Sequence, residues 1–578
     1  MLEVLDRAFR ARTTRWTEAP VSLSTPDIIF LDTEHFPAPD FARSFLVESV
    51  EGRRLVTSES EGKGPLFKNS WKVPLSHLRS TNIGMVTHGK GTTGVRSKPE
   101  LIPELLSGSK HNIVSIEDAF ELRRDARSLV RTIVNLREIV GHSTLIYAPG
   151  IMDPGNLALL CYLGIDLFDS SLIIYQSSRG KLILPNLTVD ASEARWLLTD
   201  PSPELILEFN LEAAWKELQM VRWAIERSKI RDLVETRVTS DPWAVAVLRL
   251  LDQEGYEYQE EMSPVVGGTM HCNTKQSLHR PDVQRWRRRI LDRYRPPEHK
   301  RILLLLPCSA RKPYSTSKTH KLFRKVIDTI GKSHLIHEVI VTSPLGVVPR
   351  EIELLYPASQ YDIPVTGDWD CFERSMISEM LNHLNSFGYD QTICHMDEVF
   401  VAEAIDCEVT AVGDPTSRES LDNLRNLLEK VCDDLPTVPK AVDREQDMAS
   451  LARFQFGTGG EHLIDGAEVT GRYPRPRVVK GRSQLGMLSP ERGMISLTIE
   501  GAEKLREKNL NVVQIGSFDL KGNLFAVGVE SADPLIRIGD EAIIVREGET
   551  VGVGVASMSG REMMDLSRGE AVRVRHTA

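Results

Sequence analysis

The chain has 578 residues, of which 41% are hydrophobic, 26% charged and 6% aromatic; this excludes collagen-like, wholly disordered and mini-protein classes and, at roughly 100–200 residues per domain, calls for three to five domains. Lys and Arg number 71 against 81 Asp and Glu, a net charge of -10, which excludes an all-over basic nucleic-acid coat but not a basic face on one module. No stretch reaches the ~18 uncharged apolar residues of a membrane span, and the seven scattered cysteines include no CxxC pair, so no disulfide framework is expected and a reducing cytoplasm is the expected location. Acids at Glu3 and Asp6 stand where a signal peptide carries basic residues.

Residues 1–248 alternate strand-like and helix-like segments. Strands are read at 27–31, 144–147 and 172–175, and helical spacing at 117–140 and 211–230. Such alternation predicts a layered or barrel α/β domain. Gly89-Lys90-Gly91-Thr92-Thr93-Gly94 matches a glycine-rich nucleotide pattern only formally, without strand-to-helix context, and a loop is expected. Residues 249–298 read as a connecting segment. His271, Cys272 and His279 lack a fourth partner, and no metal site is expected. The arginine run around Trp286 and Tyr294 admits two readings: a phosphate grip with stacking aromatics, or a solvated helix face with Trp286 packed inward.

Residues 299–436 form an α/β unit, with strands at 302–306, 338–342 and 391–395 and helices through 372–387 and 421–431. Residues 437–506 are a small α+β piece. Residues 507–578 are short β runs punctuated by glycine, at 542–545 and 551–556, which predicts a small barrel.

The chemistry concentrates after the strand at 302–306. Pro307-Cys308-Ser309-Ala310-Arg311-Lys312-Pro313-Tyr314-Ser315-Thr316-Ser317-Lys318-Thr319-His320 supplies a nucleophile, a cation, hydroxyl donors and a general acid/base where α/β sheets bind ligands. Cys308, Lys312, Ser315, Ser317 and His320 are the expected catalytic set, with Ser309 and Tyr314 against substrate. The alternative is a strand-capping turn around a structural cysteine. Further on, Tyr361 or Trp369 is expected to stack on a flat base. Asp362, Asp370 and Glu373 are expected to hold an amino group, against the ordinary reading of solvated carboxylates. His395 and Asp397 are weaker candidates of the same kind.

The closing segments Asp533–Val545, Val551–Ala556 and Arg568–His576 resemble a PUA domain, in which Gly552 and Gly554 would let backbones approach closely. The resemblance implies RNA binding, with Arg573, Arg575 and His576 toward phosphate. Ala452–Gly457 and Ser496–Ala502 resemble the segment before PUA in archaeal tRNA-guanine transglycosylases, and Gly164–Ser170 resembles that family's nucleophile strand, with Asp169 as the aspartate. That family implies a TIM-type barrel. Its zinc ligands are missing here: no cysteine lies between Cys161 and Cys272, and Phe209 stands where the ligand histidine belongs. The second catalytic aspartate is missing too, so Asp169 is expected as a relic or a base-contacting residue.

The run from Pro307 to His320 closely resembles the signature of archaeosine synthase. The expected fold is therefore a multidomain α/β and α+β chain: a degenerate transglycosylase-like TIM-type barrel, a central α/β domain, a small α+β domain and a β-barrel PUA domain. The resemblance implies a tRNA-modifying transferase that adds an amine nitrogen, from free lysine or another donor, to the nitrile of 7-cyano-7-deazaguanine in the tRNA D-arm, with no ATP, metal or other cofactor. A radical-SAM partner enzyme and a homodimer are the remaining implied partners. Cys308 would either form a thioimidate or line the pocket while the amine attacks directly, with His320 or Lys312 moving the proton. The alternative is a non-catalytic paralogue that presents tRNA to another enzyme.

Overall fold

Asp27–Asp32 carries four consecutive apolar residues, and Ile28, Ile29 and Phe30 are at most 1% exposed, as a strand covered on both faces must be. In the computed structural model, which describes residues 2–18, 21–49, 52–58, 64–67, 87–88, 92–95, 112–365, 367–436 and 439–578, this strand sits in the middle of a nine-stranded sheet. The chain divides into two units.

The first unit comprises Met1–Ser263 with the short segments Phe525–Val527 and Glu562–Gly569. Leu2–Ala8, Ala11–Glu18 and Val21–Thr25 form an antiparallel sheet. The nine-stranded sheet runs in the spatial order Leu66–Phe67, Gly52–Thr57, Ser44–Ser49, Asp27–Asp32, Leu167–Asp169, Leu145–Tyr147, Ile113–Ile116, Thr92–Val95, Thr87–His88. From Ser44–Ser49 to Thr92–Val95 every pairing is parallel. The sheet curls round so that Thr92 Oγ1, on the strand next to one end, donates at 2.5 Å to Leu66 O on the strand at the other end. The result is the expected barrel in nearly closed form, with antiparallel strands added at its ends. Ser202 caps the helix Pro203–Glu226, whose apolar stripe (Leu211, Ala214, Leu218, Val221) packs into the core.

Two local expectations change here. Residues 172–175 lie in the helix Ser171–Ser178 and not in a strand. Leu172, Ile173 and Ile174 are all buried, and a short run buried on every side reads alike in either conformation. Gly89, Lys90 and Gly91 lie outside the described residues, and Thr92–Val95 is a strand, not a loop.

The second unit comprises Pro264–Leu524, Gly528–Arg561 and Glu570–Ala578. Its main sheet has the order Gly346–Pro349, Ile336–Thr342, Ile302–Pro307, Gln391–Cys394, Glu408–Val409, parallel except for the first pair. Alternation decides what each face covers. Ile302, Leu304 and Leu306 pack on Phe323, Leu424 and Leu428 from the helices Lys318–Ile327 and Arg418–Asp433. Leu303 and Leu305 face the other core, with Trp286 and Ile290 of the helix Pro281–Asp292 and Ile377 and Leu381 of Cys371–Asn385. Trp286 is thus packed inward, its Nε1 donating to Val347 O at 3.0 Å. Arg287 is spent on the carbonyls of Pro344 and Leu278, so this arginine is built into the unit.

A helix at Lys440–Phe456, a four-stranded antiparallel sheet and a helix at Ile499–Arg506 follow. The last sheet places Glu570–Thr577, Glu549–Ala556, Glu541–Arg546, Val512–Ile515 and Val529–Ala532 side by side. Gly554 is required there: a Cβ would lie 2.2 Å from Arg573 O in the neighbouring strand. Among the described residues no helix is long and apolar enough to cross a membrane.

Candidate active site

In the second unit's main sheet the chain runs from Ile302–Pro307 to one neighbour, crosses to Gln391–Cys394 on the other side, and continues outward. The order reverses between these two central strands. Loops leaving the carboxyl ends of two such strands part at the reversal, and the crevice between them is where open α/β sheets bind ligands. Cys308 is the first residue past one strand; His395 to Glu398 follow the other.

Cys308 is half-buried, and burial pushes its thiol pKa up. The Lys312 ammonium and the Thr342 hydroxyl pull it back, while Glu398 adds to the rise. Lys312 Nζ lies 4.0 Å from the centre of the Tyr361 ring. Burial lowers its pKa, against the opposing pull of Cys308 and Asp362. Burial thus works against the charged form of both groups, while each one's charge favours the other's.

Beneath them three hydroxyls interlock. Tyr314 donates to Thr342 Oγ1 at 3.2 Å, Tyr361 meets both Tyr314 and Thr342, and Thr342 contacts the thiol. Tyr314 is fully buried, which makes it a support for the crevice and not a substrate contact. Tyr361 is 3% exposed and covered by Lys312, so it has no open face on which a base can stack. Trp369 is only half-buried, beside Phe400 at 5.4 Å between ring centres. Asp362 is exposed and its charge favours the Lys312 ammonium.

The remaining expected residues make hydrogen bonds within the fold. Ser317 caps the helix Lys318–Ile327, its Oγ accepting from His320 N at 3.1 Å. Ser315 Oγ pairs with Tyr473 OH at 3.2 Å, and Ser309 Oγ donates to Arg311 O at 3.2 Å. Asp370 caps Cys371–Asn385 in a capping box with Glu373 and binds Lys275 at 2.8 Å. His320 is 1% exposed. Arg350 Nη2 donates to its Nδ1 at 2.8 Å, and its Nε2 donates to Pro307 O at 3.0 Å. Burial and the Arg350 charge push its pKa down to about 3. A neutral ring with both nitrogens engaged offers the crevice neither a proton nor a lone pair, which corrects the expected acid/base role: His320 fixes the strand end that carries Cys308. His395 is similar, bonded to Thr410 and Pro415 O and held neutral by burial, at about 4.

Asp169 ends a parallel strand of the first unit's barrel. Tyr147 OH donates to its Oδ2 at 2.6 Å, and the N–H groups of Gly150 and Ser171 donate to Oδ1 at 3.0 Å each. At 1% exposure it is a structural anchor and not a base contact. In the C-terminal sheet Arg573 and His576 are exposed, Arg573 with Glu570 as its ion-pair partner at 3.1 Å. Arg575 is half-buried and tied to the buried Glu541 and to Leu497 O. Among the described residues no group of three or more His, Cys, Asp or Glu is placed to hold a metal ion.

Two residues of the crevice were not anticipated. Thr342 had a usable signal, standing at the end of the strand next to Cys308's. Glu398 had none, being one acid among many in a loop.

Residues 283–428, which contain the main sheet and the crevice, match a family model known as a domain of unknown function, DUF5591. Residues 518–578 match the PUA domain. The archaeosine synthase subunit alpha of Methanosarcina acetivorans is 37% identical over 504 residues, 81% of this chain and 80% of that one. The archaeosine synthase of Haloferax volcanii is 32% identical over 489 residues, 80% and 81% of the two chains. A tRNA-guanine(15) transglycosylase of Methanobrevibacter smithii is 27% identical over 495 residues, 78% and 69% of the two chains. A barrel whose strand-end aspartate is fully engaged, a second sheet with a cysteine at its switch point, and likeness at this level across four fifths of the chain agree: the chain belongs to the archaeosine synthase family.

Proposed function

We propose that this tRNA-modifying enzyme of archaeosine biosynthesis adds an amine donor, free lysine first among candidates, to the nitrile of 7-cyano-7-deazaguanine in the tRNA D-arm. The observation that carries the reading is the juxtaposition of the Cys308 thiol and the Lys312 amine at the switch-point crevice.

A nitrile carbon accepts a nucleophile only as its nitrogen gains a proton or hydrogen bond. The burial-lowered Lys312 amine takes the Cys308 proton as sulfur bonds to the nitrile carbon and one C–N π bond breaks. Protonation of the nitrile nitrogen gives a thioimidate. The donor amine then bonds to the same carbon, sulfur leaves and recovers its proton from Lys312, and an amidine remains. No electron changes hands. Thr342 orders the thiol, and the exposed Arg573 and His576 meet tRNA phosphate. A radical-SAM partner that cleaves the lysine adduct, in the cytoplasm, completes this proposal.

The test is mass spectrometry of nitrile-bearing tRNA incubated with the protein and lysine, glutamine or ammonium in turn. A lysine adduct is expected. Unchanged tRNA with every donor would leave the tRNA-presenting role in its place.

A further inference from the structure

The thioimidate route needs a group that protonates the nitrile nitrogen, and His320 is unable to do so. Glu398 stands in the loop after Gln391–Cys394, across the switch point from the strand that leads to Cys308 and Lys312. It occupies the N-cap position of the helix Val399–Ala404, yet its side chain makes no capping hydrogen bond to that helix. Its carboxylate meets the backbone amides of Glu398 and Asp397, and among the described residues no side chain pairs with it. It is half-buried, and its charge is felt at Cys308. Lys312, from the loop of the neighbouring strand, is felt there too. Each of the two loops thus brings the thiol one proton-carrying group.

We propose that Glu398 is a catalytic acid–base residue, which delivers a proton to the nitrile nitrogen as the carbon is attacked and later takes one from the incoming amine. The proposal rests on the amine-addition reading above. Its balance closes over one turnover: Glu398 gives a proton to the nitrile nitrogen in the first half and regains one from the donor amine in the second. Lys312 takes the thiol proton and returns it when sulfur departs. Burial, with the neighbouring Asp397 charge, pushes the Glu398 carboxyl up from its ordinary value, the direction an acid catalyst needs.

The experiment compares Glu398→Gln and Glu398→Asp with the wild type on nitrile-bearing tRNA and lysine, across pH, with thermal unfolding as a check on the fold. Glu398→Gln should lower kcat by about 10²-fold or more at unchanged KM for tRNA. It should also lose the limb on which wild-type kcat falls as rising pH deprotonates the acid, and Glu398→Asp should restore part of both. A second readout is the rate at which iodoacetamide labels Cys308, followed by peptide mass spectrometry. Removing the neighbouring negative charge should raise that rate severalfold near pH 8. A folded Glu398→Gln chain with wild-type kcat and wild-type labelling overturns the role of Glu398 alone. A wild type that makes no adduct with any amine overturns the amine-addition reading, and this role with it.

Discussion

Asp169 and Cys308 occupy equivalent stations: each lies at the carboxyl end of a parallel strand, one in the barrel and one in the second unit's sheet. Their surroundings differ in one respect. Every oxygen of Asp169 is spoken for, by a tyrosine hydroxyl and two backbone amides. Cys308 instead shares its crevice with an amine and a carboxylate that make no side-chain hydrogen bond or ion pair among the described residues. Position at a strand end offers a site, and unspent polar groups make it reactive.

The comparison breaks most sharply at Cys308. Cys308→Ala should reduce turnover about 10³-fold or more, and Cys308→Ser nearly as much, since a hydroxyl is a far weaker nucleophile near neutral pH. Lys312→Met should follow with a loss of about 10²-fold in kcat at unchanged tRNA affinity, measured by single-turnover kinetics.

His320→Ala should act through position, lowering turnover about tenfold by releasing the strand end. It should also cost about 1–3 kcal/mol of stability, because Pro307 O loses its buried donor and Arg350 one of its acceptors, Glu338 and Glu353 remaining. The sign of its pH dependence follows from the lowered pKa. The unfolded ring takes up a proton below about pH 6.5 while the folded ring resists until about 3. The wild type therefore loses this contribution as pH falls from 6.5, and the stability gap to His320→Ala, read by denaturant unfolding, should narrow toward pH 4.

The amino-acid pattern revealed much of this architecture and less of the site. Ile302–Pro307 was legible because an unbroken apolar run before Pro and Cys permits little else than a buried strand. The helix at Ser171–Ser178 was not, because burial on all sides erases the period that separates helix from strand. Asp370 carried its true role in its spacing, since Asp-x-x-Glu ahead of an apolar run is a capping box. His320 misled because the partner that silences it, Arg350, lies 30 residues away. The partner of Arg575, Glu541, was hidden in the same way, 34 residues upstream. Glu398 becomes distinctive only when strand order sets its loop beside Cys308.

Smaller effects are expected where groups are already spent or solvated. Asp169→Ala should leave the rate of nitrile conversion unchanged while lowering stability by about 1–3 kcal/mol, read as a drop in Tm. Arg573→Ala should weaken tRNA binding only modestly. It should reduce the salt dependence of log Kd by about one unit, the amount set by a single arginine no longer neutralising a phosphate.

The central claim is that chemistry resides at Cys308 and not at the barrel aspartate. The direct measurement is amidine formation on nitrile-bearing tRNA by Cys308→Ala and Asp169→Ala chains side by side, quantified by nucleoside mass spectrometry. The expected result is no product from the first and wild-type product from the second. Full turnover by Cys308→Ala together with an inactive, folded Asp169→Ala would contradict it.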